Sequence, residues 1–492
     1  MATFLRRDVW NLDDEGGVWH PVVRAYADAV GVMKQRSAVD RDDPTGWSYQ
    51  ASVHALPPGT PADAFQNQCQ HGSWFFLPWH RIYLHWFEEI VRDIVRTELP
   101  NVSQQVRDTW ALPYWDYSRG GQNERWRRLP RAFRTPTKVD GSPNPLFTSR
   151  RNTRPGLNMN AGAPLLDRLV STRALDQRVF AISPLPGQPN GFGGPVTGWH
   201  HDPGPAGSLE LTPHGDVHTN VGGPGGLMAT FPNAPLDAVF WLHHANIDRL
   251  WVVWLNQDDV QRRNPTDTGW RNFPFPFRDA TGTRVTPPWS PRSVLDTVSD
   301  LGYTYEVVDR FPTGREAVTR MSAQPPDKPE LDAPPELVGA TSEPVQLTGR
   351  RAAVSVDVGE ATGPAARGGP GDPDQQVYLQ IDDVRGAENP GVTYAVFVNL
   401  PDGSDPDDDP DQYYVGNVSL FGIEATQDLG RDVHGGAGLS FAFDITDVAR
   451  DQQAAGRWDP SQLTVTFVPI GGTDPDETLP PVTIGRVGVY YR

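Results

Sequence analysis

At 492 residues the chain is too long for one ordinary hydrophobic core, so two domains are expected. A formal net charge of −18 argues against nucleic acid and anionic membranes, both of which attract basic surfaces, and leaves small neutral molecules as partners. The single cysteine rules out an internal disulfide, no window approaches the roughly 20 apolar residues of a membrane span, and Arg6-Arg7 is not followed by the apolar run of a signal peptide.

From the N-terminus, Val22, Val23, Tyr26, Val30 and Met33 recur at helical spacing and predict a core helix, with His20 as a surface or capping residue ahead of Pro21. After DRDDPTGW, the short segment SYQASVHALPPG presents His54 and is stopped by Pro57, Pro58 and Gly59. The next piece, QNQCQHGSWFFLPWHRIYLHWFEEIVRDIVRTEL, carries Cys69, His71 and His80 into a long helix with an apolar face through Tyr83, Phe87, Ile90, Ile94 and Val95. His80 falls in its first turn, on a side that can face inward. His85, about 140° further round, is read as a packing residue or a neighbour of the inward-facing groups. Cys69 is either an apolar filler or chemically special.

The run RWRRLPRAFR at 125–134 is expected to pair with local carboxylates. The Pro/Gly/Arg-rich stretch from Gly120 to Gly207 has little periodicity beyond LLDRLVSTRALDQRVF, and loops that long in a compact domain are expected to wall an active-site mouth. Next comes a segment with four of the twelve histidines. His214 and His218 stand four apart, which on a helix puts both rings on one face at metal-ligand spacing. A helix with Phe240, Ile247 and Trp251 at core spacing then carries His243 and His244, about 100° apart, of which one alone can aim at a shared ion.

Six histidines thus form two groups of three: His54, His71 and His80, then His214, His218 and one of His243 or His244. Neutral imidazoles without a carboxylate or thiolate at ligand spacing suit copper, zinc or nickel, and the oxygen ligands of magnesium or calcium are missing. Two such groups facing each other across a helix bundle would make a binuclear centre. Beyond Tyr305 the pattern decays into AQPPDKPELDAPPEL, a proline-rich linker. From Leu337 the chain alternates: EPVQLTG, AAVSVDV, QVYLQIDDV, TYAVFVNL, YYVGNVSLFG, LSFAFDI, LTVTFVP and PVTIGRVGVYY predict short antiparallel strands in a β-sandwich. The run DPDDDPDQ at 405–412 is read as a solvated loop, and His434 in DVHGGAG as a loop histidine.

The strings CQHGSWFFLPWHR, TPHGDVH and FWLHHANIDRLW, with LPYWDY at 112–117 and LGYTY at 301–305, resemble the signatures of the tyrosinase, catechol oxidase and molluscan haemocyanin family of type-3 copper proteins. The resemblance spans nearly the whole chain. It implies an α-helical bundle catalytic domain with long loops at 1–322, a linker at 323–336 and an all-β C-terminal sandwich at 337–492. It assigns one copper to His54, His71 and His80 and the other to His214, His218 and His244, leaving His243 as a neighbour; no cofactor beyond the two coppers is implied, with O2 as co-substrate. Asp248 either accepts from the other nitrogen of His244 or pairs with an arginine. Arg6 or Arg7 is the candidate to stack on LGYTY by cation–π attraction. Cys69, two before His71, stands where fungal tyrosinases and haemocyanins join that cysteine to the histidine by a thioether; a buried free thiol is the alternative.

The implied activity is oxidation of o-diphenols to o-quinones. Hydroxylating a monophenol requires in addition that a phenol with a pKa of about 10 lose its proton. The resemblance places a water-holding glutamate at Glu210, four before His214. Gly215 stands where members strong in hydroxylation often carry asparagine, so hydroxylation is expected to be the weaker activity. Asp237-Ala238 replaces the family's usual Asp-Pro. The sandwich resembles the domain that covers the copper site in latent polyphenol oxidases, so the chain is expected to be its own lid, plugged from YYVGNVSLFG and opened by displacement. Its partners are small phenols, with no nucleic acid and no membrane, in the cytoplasm or exported without a visible signal. A haemocyanin-like oxygen carrier is the alternative, although carriers string many units together and this chain has one.

Overall fold

The computed structural model describes residues 3–12, 19–119, 123–201, 204–257, 262–308, 334–358, 375–406, 410–427, 438–459, 462–471 and 477–492. The expected linker at 323–336 lies almost wholly outside them, as do His434 and part of the Asp-rich run. Helix α1 (Pro21–Val39) begins where the His20 imidazole accepts from the Val22 amide at 3.2 Å, so His20 is a cap. Helices α2 (Trp47–His54) and α3 (Phe76–Thr97) follow; α4 (Asp216–Gly222) and α5 (Val239–Leu255) come after the long loops. Residues on α3 and α5 meet through a Phe87–Trp241 stack with ring centroids 3.4 Å apart and 8° between planes. Trp79, Trp110, Trp115, Trp241, Trp251, Trp254 and Trp270 are fully buried. Each such ring removes roughly 150–250 Å² from water, on the order of 4–6 kcal/mol before the entropy of ordering it.

The ends of this helical layer are tied together. Strand β1 (Phe4–Arg6) pairs in parallel with β2 (Tyr303–Tyr305). Of the two candidate arginines, Arg6 makes the stack, 3.6 Å over the Tyr303 ring, while Arg7 sits at the surface beside Glu306. The buried Arg6 guanidinium also bonds Glu88 at 2.6 Å and reaches Asp248. Asp248 takes Arg81 at 2.5 Å and the Tyr303 and Tyr305 hydroxyls at 2.7 and 2.5 Å. Every charge here has partners, which a buried charge needs if it is not to destabilise the fold. The Asp248 carboxylate is therefore spent on arginines and tyrosines, and the arginine partner wins over the His244 ring. The basic run pairs in part as expected: Glu124 is the carboxylate partner of Arg127 and Arg128, while Arg127 and Arg134 also bond carbonyls and Arg125 lies against Trp10 and Trp126.

The β layer holds strands β3 (Glu336–Ala340), β4 (Val345–Leu347), β5 (Ala352–Val356), β6 (Val377–Arg385), β7 (Thr393–Val398), β8 (Tyr414–Val418), β9 (Leu439–Asp444), β10 (Leu463–Ile470) and β11 (Val482–Tyr491). One sheet runs β8-β7-β10-β5; the other runs β9-β6-β11-β3, with β4 also on β11. All these pairings are antiparallel. Between the sheets Val396, Phe467, Leu379, Ile381 and Val487 are buried, as period-2 alternation requires. Strand β3, of which Glu336 alone falls in the expected linker, and the helix α6 (Thr446–Ala454) were not legible in the alternation.

The sandwich docks on α4 through polar contacts. Asn417 donates to the Asp216 carboxylate at 2.7 Å, Asn220 to the Thr393 hydroxyl at 2.8 Å, and the Thr219 and Ser419 hydroxyls are 3.1 Å apart. At one rim the buried Arg154 donates to the carbonyls of Pro390 and Gly391 at 2.9 and 2.7 Å and pairs with Glu477 at 3.0 Å. At the other, the amide of Gly187 donates to Gln380 and Arg492 to Gln188. Gly187 has φ +81°, and a Cβ there would lie 2.3 Å from the Tyr490 ring, so only glycine lets this loop clasp the sandwich. Among the described residues no helix is long and apolar enough to cross a membrane.

Candidate metal centre

The six predicted histidines converge. His54 ends α2, His71 lies on the loop between α2 and α3, and His80 is on the first turns of α3. His214 and His218 were expected on one helix. The turn at Glu210–Gly215 is instead broken at Thr212, whose backbone is extended (φ −137°, ψ 124°), and α4 starts only at Asp216. The two rings still approach to 4.6 Å between centroids. Within the first group the centroids are 5.3 to 5.6 Å apart. Across the groups His80 stacks on His244 at 4.5 Å, and His71 lies 5.8 Å from His214.

Four of these rings are oriented in the same way. The Nδ1 of His54 faces the Phe231 carbonyl at 3.0 Å, that of His80 the Phe76 carbonyl at 2.8 Å, that of His214 the Glu210 carbonyl at 3.1 Å and that of His218 the Met228 carbonyl at 2.9 Å. A carbonyl accepts only, so each Nδ1 is the protonated nitrogen and each Nε2 keeps its lone pair. The Nε2 atoms of His54, His80 and His214, and both nitrogens of His71, are buried with no hydrogen-bond partner among the described residues. The Nε2 atoms of His218 and His244 face each other at 3.2 Å. Buried lone pairs left over in this number need an acceptor of lone pairs, and a metal pair held by neutral imidazole is that acceptor. Burial pushes all six rings below the usual imidazole range, His80 to about 3, which keeps them neutral. The donor set fits copper.

His243 also falls in the second cluster, its ring atoms within 4.8 Å of those of His214, His218 and His244. Its Nδ1 is held by the Tyr117 hydroxyl at 3.0 Å, an anchor that LPYWDY supplies and that sequence reading did not foresee. The Cys69 sulfur is buried, within 4.8 Å of ring nitrogens of His54 and His71 and 3.2 Å from Nδ1 of His201. His201, absent from the expected site, is a neighbour brought in by the long loop. His85 touches none of the six and packs against Trp86 and Trp289.

Above the histidines lies a cavity of about 40 Å³, lined by His71, Glu210, His214, Phe231, Phe421 and Phe441 among others. Glu210 accepts from the Gly72 amide at 2.9 Å, and burial pushes its carboxyl up to about 8. A Cβ at Gly215 would stand 3.0 Å from the Ser419 hydroxyl, so this position is pressed by the sandwich. The roof is Phe421, on the turn after β8. Its ring lies 4.0 Å over His218 at 12° and 4.7 Å from Phe231.

Residues 44–257, which include all six histidines, match the common central domain of tyrosinase, and 334–492 match a domain family of unknown function. The chain is 33% identical over 518 aligned residues to a tyrosinase, HcTyr1, of Hahella sp. (strain CCB-MM4), covering 99% of this chain and 98% of that one. It is 27% identical to the latent form of a chloroplastic polyphenol oxidase of Prunus armeniaca, over 92% of this chain and 71% of the relative. Its fold is similar to that of latent apple tyrosinase, with a TM-score of 0.63 at 22% identity, over 100% and 97% of the two chains. Similarity at that level along the full length, joined to the two facing groups of histidines, means that the chain belongs to the tyrosinase family of dicopper oxidoreductases.

Proposed function

We propose that His54, His71 and His80 hold one copper, that His214, His218 and His244 hold the other, and that the pair oxidises o-diphenols to o-quinones. The observation that carries this is the shared orientation of four of the rings, with Nδ1 donating to backbone carbonyls and, in His54, His80 and His214, Nε2 left without a partner among the described residues. The copper pair supplies the electron transfer, taking two electrons from each diphenol and passing four to each O2. The protein's share is geometry and a dry pocket. The backbone carbonyls fix the tautomer and aim of four of the six rings, those of His54, His80, His214 and His218. Phe231 stacks on His71 at 4.2 Å and offers a flat apolar wall for a phenol ring. Glu210 stands where it can hold a water or take the phenol proton, and a carboxyl raised to about 8 can accept and return a proton near neutrality. Without a side chain at Gly215 to orient that water, monophenol hydroxylation is the weaker reaction. Cys69, close to His71, forms a thioether to it, the thiol hydrogen and a ring hydrogen being lost to O2 as the oxidant, and the bond stiffens a ligand otherwise carried on a loop.

The sandwich is the lid. Phe421 fills the space over His218 that a substrate ring would need, so the closed chain is latent until the sandwich is displaced. The test is copper content and catechol oxidation on the full-length chain, uncut and after cleavage in 309–333. About two coppers per chain with quinone formation that rises on cleavage is expected. A copper-loaded, cleaved protein that makes no quinone would remove the oxidase reading.

A further inference from the structure

A second and larger cavity, about 560 Å³, opens between the helical layer and the sandwich. Strand β9 separates it from the copper pocket. Leu439 and Phe441 line the copper side, Gly438 and Ala442 line the cleft, and Ser440 borders both. One wall of the cleft comes from the catalytic loops and is largely apolar, Pro184, Leu185, Pro186 and Pro205 standing beside Gln188 and Asn190. The facing wall is polar and comes from the sandwich. There Asp382 accepts from Gln380 at 2.7 Å and from the Ser440 hydroxyl at 2.8 Å, and pairs with Arg486 at 3.0 Å.

Regular structure is broken here. Leu439 and Phe441 of β9 pair with Val384 and Ile381, so β6 carries one extra residue, a bulge at Asp382–Asp383. Within it Asp383 has φ +57°, a left-handed conformation that few non-glycine residues adopt. Bulges and strained residues gather where a surface has been shaped for a task.

We propose that this cleft binds a neutral polyhydroxylated aromatic of two or three rings, and that its occupant holds the lid shut. The size follows from the volume, which is that of a site for a drug-sized molecule, and such sites favour domain interfaces. Neutrality follows because Asp382 and Asp383 already have Arg486 and Arg385 as partners, so neither a cation nor an anion is selected. Ring hydroxyls suit the remaining lone pairs of the carboxylates, and a flat ring suits the proline wall. The regulatory direction is set by linkage and rests on the lid reading above. The site needs both walls, so it exists only while the sandwich is docked, and a ligand that binds only the docked state increases its population. At a hundred times its Kd the ligand multiplies the docked-to-open ratio by about a hundred.

The probe is 5-phenylresorcinol, whose meta hydroxyls cannot form an o-quinone. Titrated calorimetrically into uncut, copper-loaded full-length protein, it is expected to bind once per chain. Ala442→Trp, which fills the cleft, is expected to abolish binding, and Asp382→Asn to weaken it about tenfold, the effect of losing one charge-assisted hydrogen bond. The probe is also expected to raise the detergent concentration needed for half-activation in the wild type and not in Ala442→Trp. No binding, or binding equal in wild type and both variants, overturns the site. Binding that Ala442→Trp removes, with no shift in activation, overturns the claim that the occupant holds the lid. Failure of the lid reading itself is read separately, from the activity of Phe421→Ala without probe.

Discussion

Phe421→Ala is expected to convert the latent chain into an open one without cutting it. The ring is 7% exposed and is sandwiched by His218 at 4.0 Å and Phe231 at 4.7 Å. Removing a buried phenyl costs about 3–5 kcal/mol in a core. Here the loss falls on the docked state, because an undocked Phe421 has no such contacts to lose. Taking about 3 kcal/mol, at 1.4 kcal/mol per tenfold, the docked-to-open ratio falls roughly a hundredfold. Even a molecule that stays docked gains a vacancy of the shape of a benzene ring directly over the histidines, which is what a catechol needs. The assay is oxygen uptake with catechol on uncut wild type and Phe421→Ala at matched copper content, with cleaved wild type as the upper limit. The variant is expected to approach the cleaved enzyme. If it stays at the uncut wild-type rate with two coppers bound, Phe421 does not plug the site.

Four further outcomes are expected. His214→Ala should hold one copper per chain by elemental analysis and lose catechol oxidation; retention of both coppers removes His214 from the ligand set. Gly215→Asn should raise monophenol turnover relative to diphenol turnover, but only after cleavage, because in the closed chain its side chain meets Ser419; an equal ratio in cleaved wild type and variant would refute it. Cys69 in unfolded holoprotein should resist thiol reagents and the intact mass should be about two hydrogens low, since a thioether leaves no thiol to react; labelling shows a free thiol. Glu424 is pushed up to about 7, chiefly by burial, from a usual value near 4.5. Between those values the folded state binds a proton that the unfolded state does not, so its stability contribution is present in acid and is lost as pH rises toward 7. The thermal midpoint should therefore fall from pH 5 to pH 8, and less steeply in Glu424→Gln; identical slopes would refute the assignment.

The six histidines that converge were legible because each stands in a short string whose spacing is set locally, by a helix turn or by the loop that enters one. What sits over them was legible only as a segment. YYVGNVSLFG is the expected source, and Phe421 does come from it, 203 positions from His218, but nothing in the string distinguishes the ring that leaves the sandwich from Tyr413, Tyr414 or Leu420. The fate of Asp248 was left open for a related reason. Its helical offset from His244 is compatible with a bond to that ring, and only the arrival of Arg6, Arg81 and two tyrosines from distant segments decides against it. Alternation revealed the sandwich strands but not strand β3, which is hidden behind prolines, nor the polar side chains by which the sandwich docks.

The pairing of β1 with β2, locked by Arg6 under two tyrosines, ties the first residues of the helical layer to its last. A closed loop of this kind has no loose end to unravel from. A cut at any bond between Val308 and Pro334 would leave the clasp, the helical layer and all six histidines in place. Proteases of unrelated specificity could then remove the lid, and products differing at their C-termini should be equally competent enzymes.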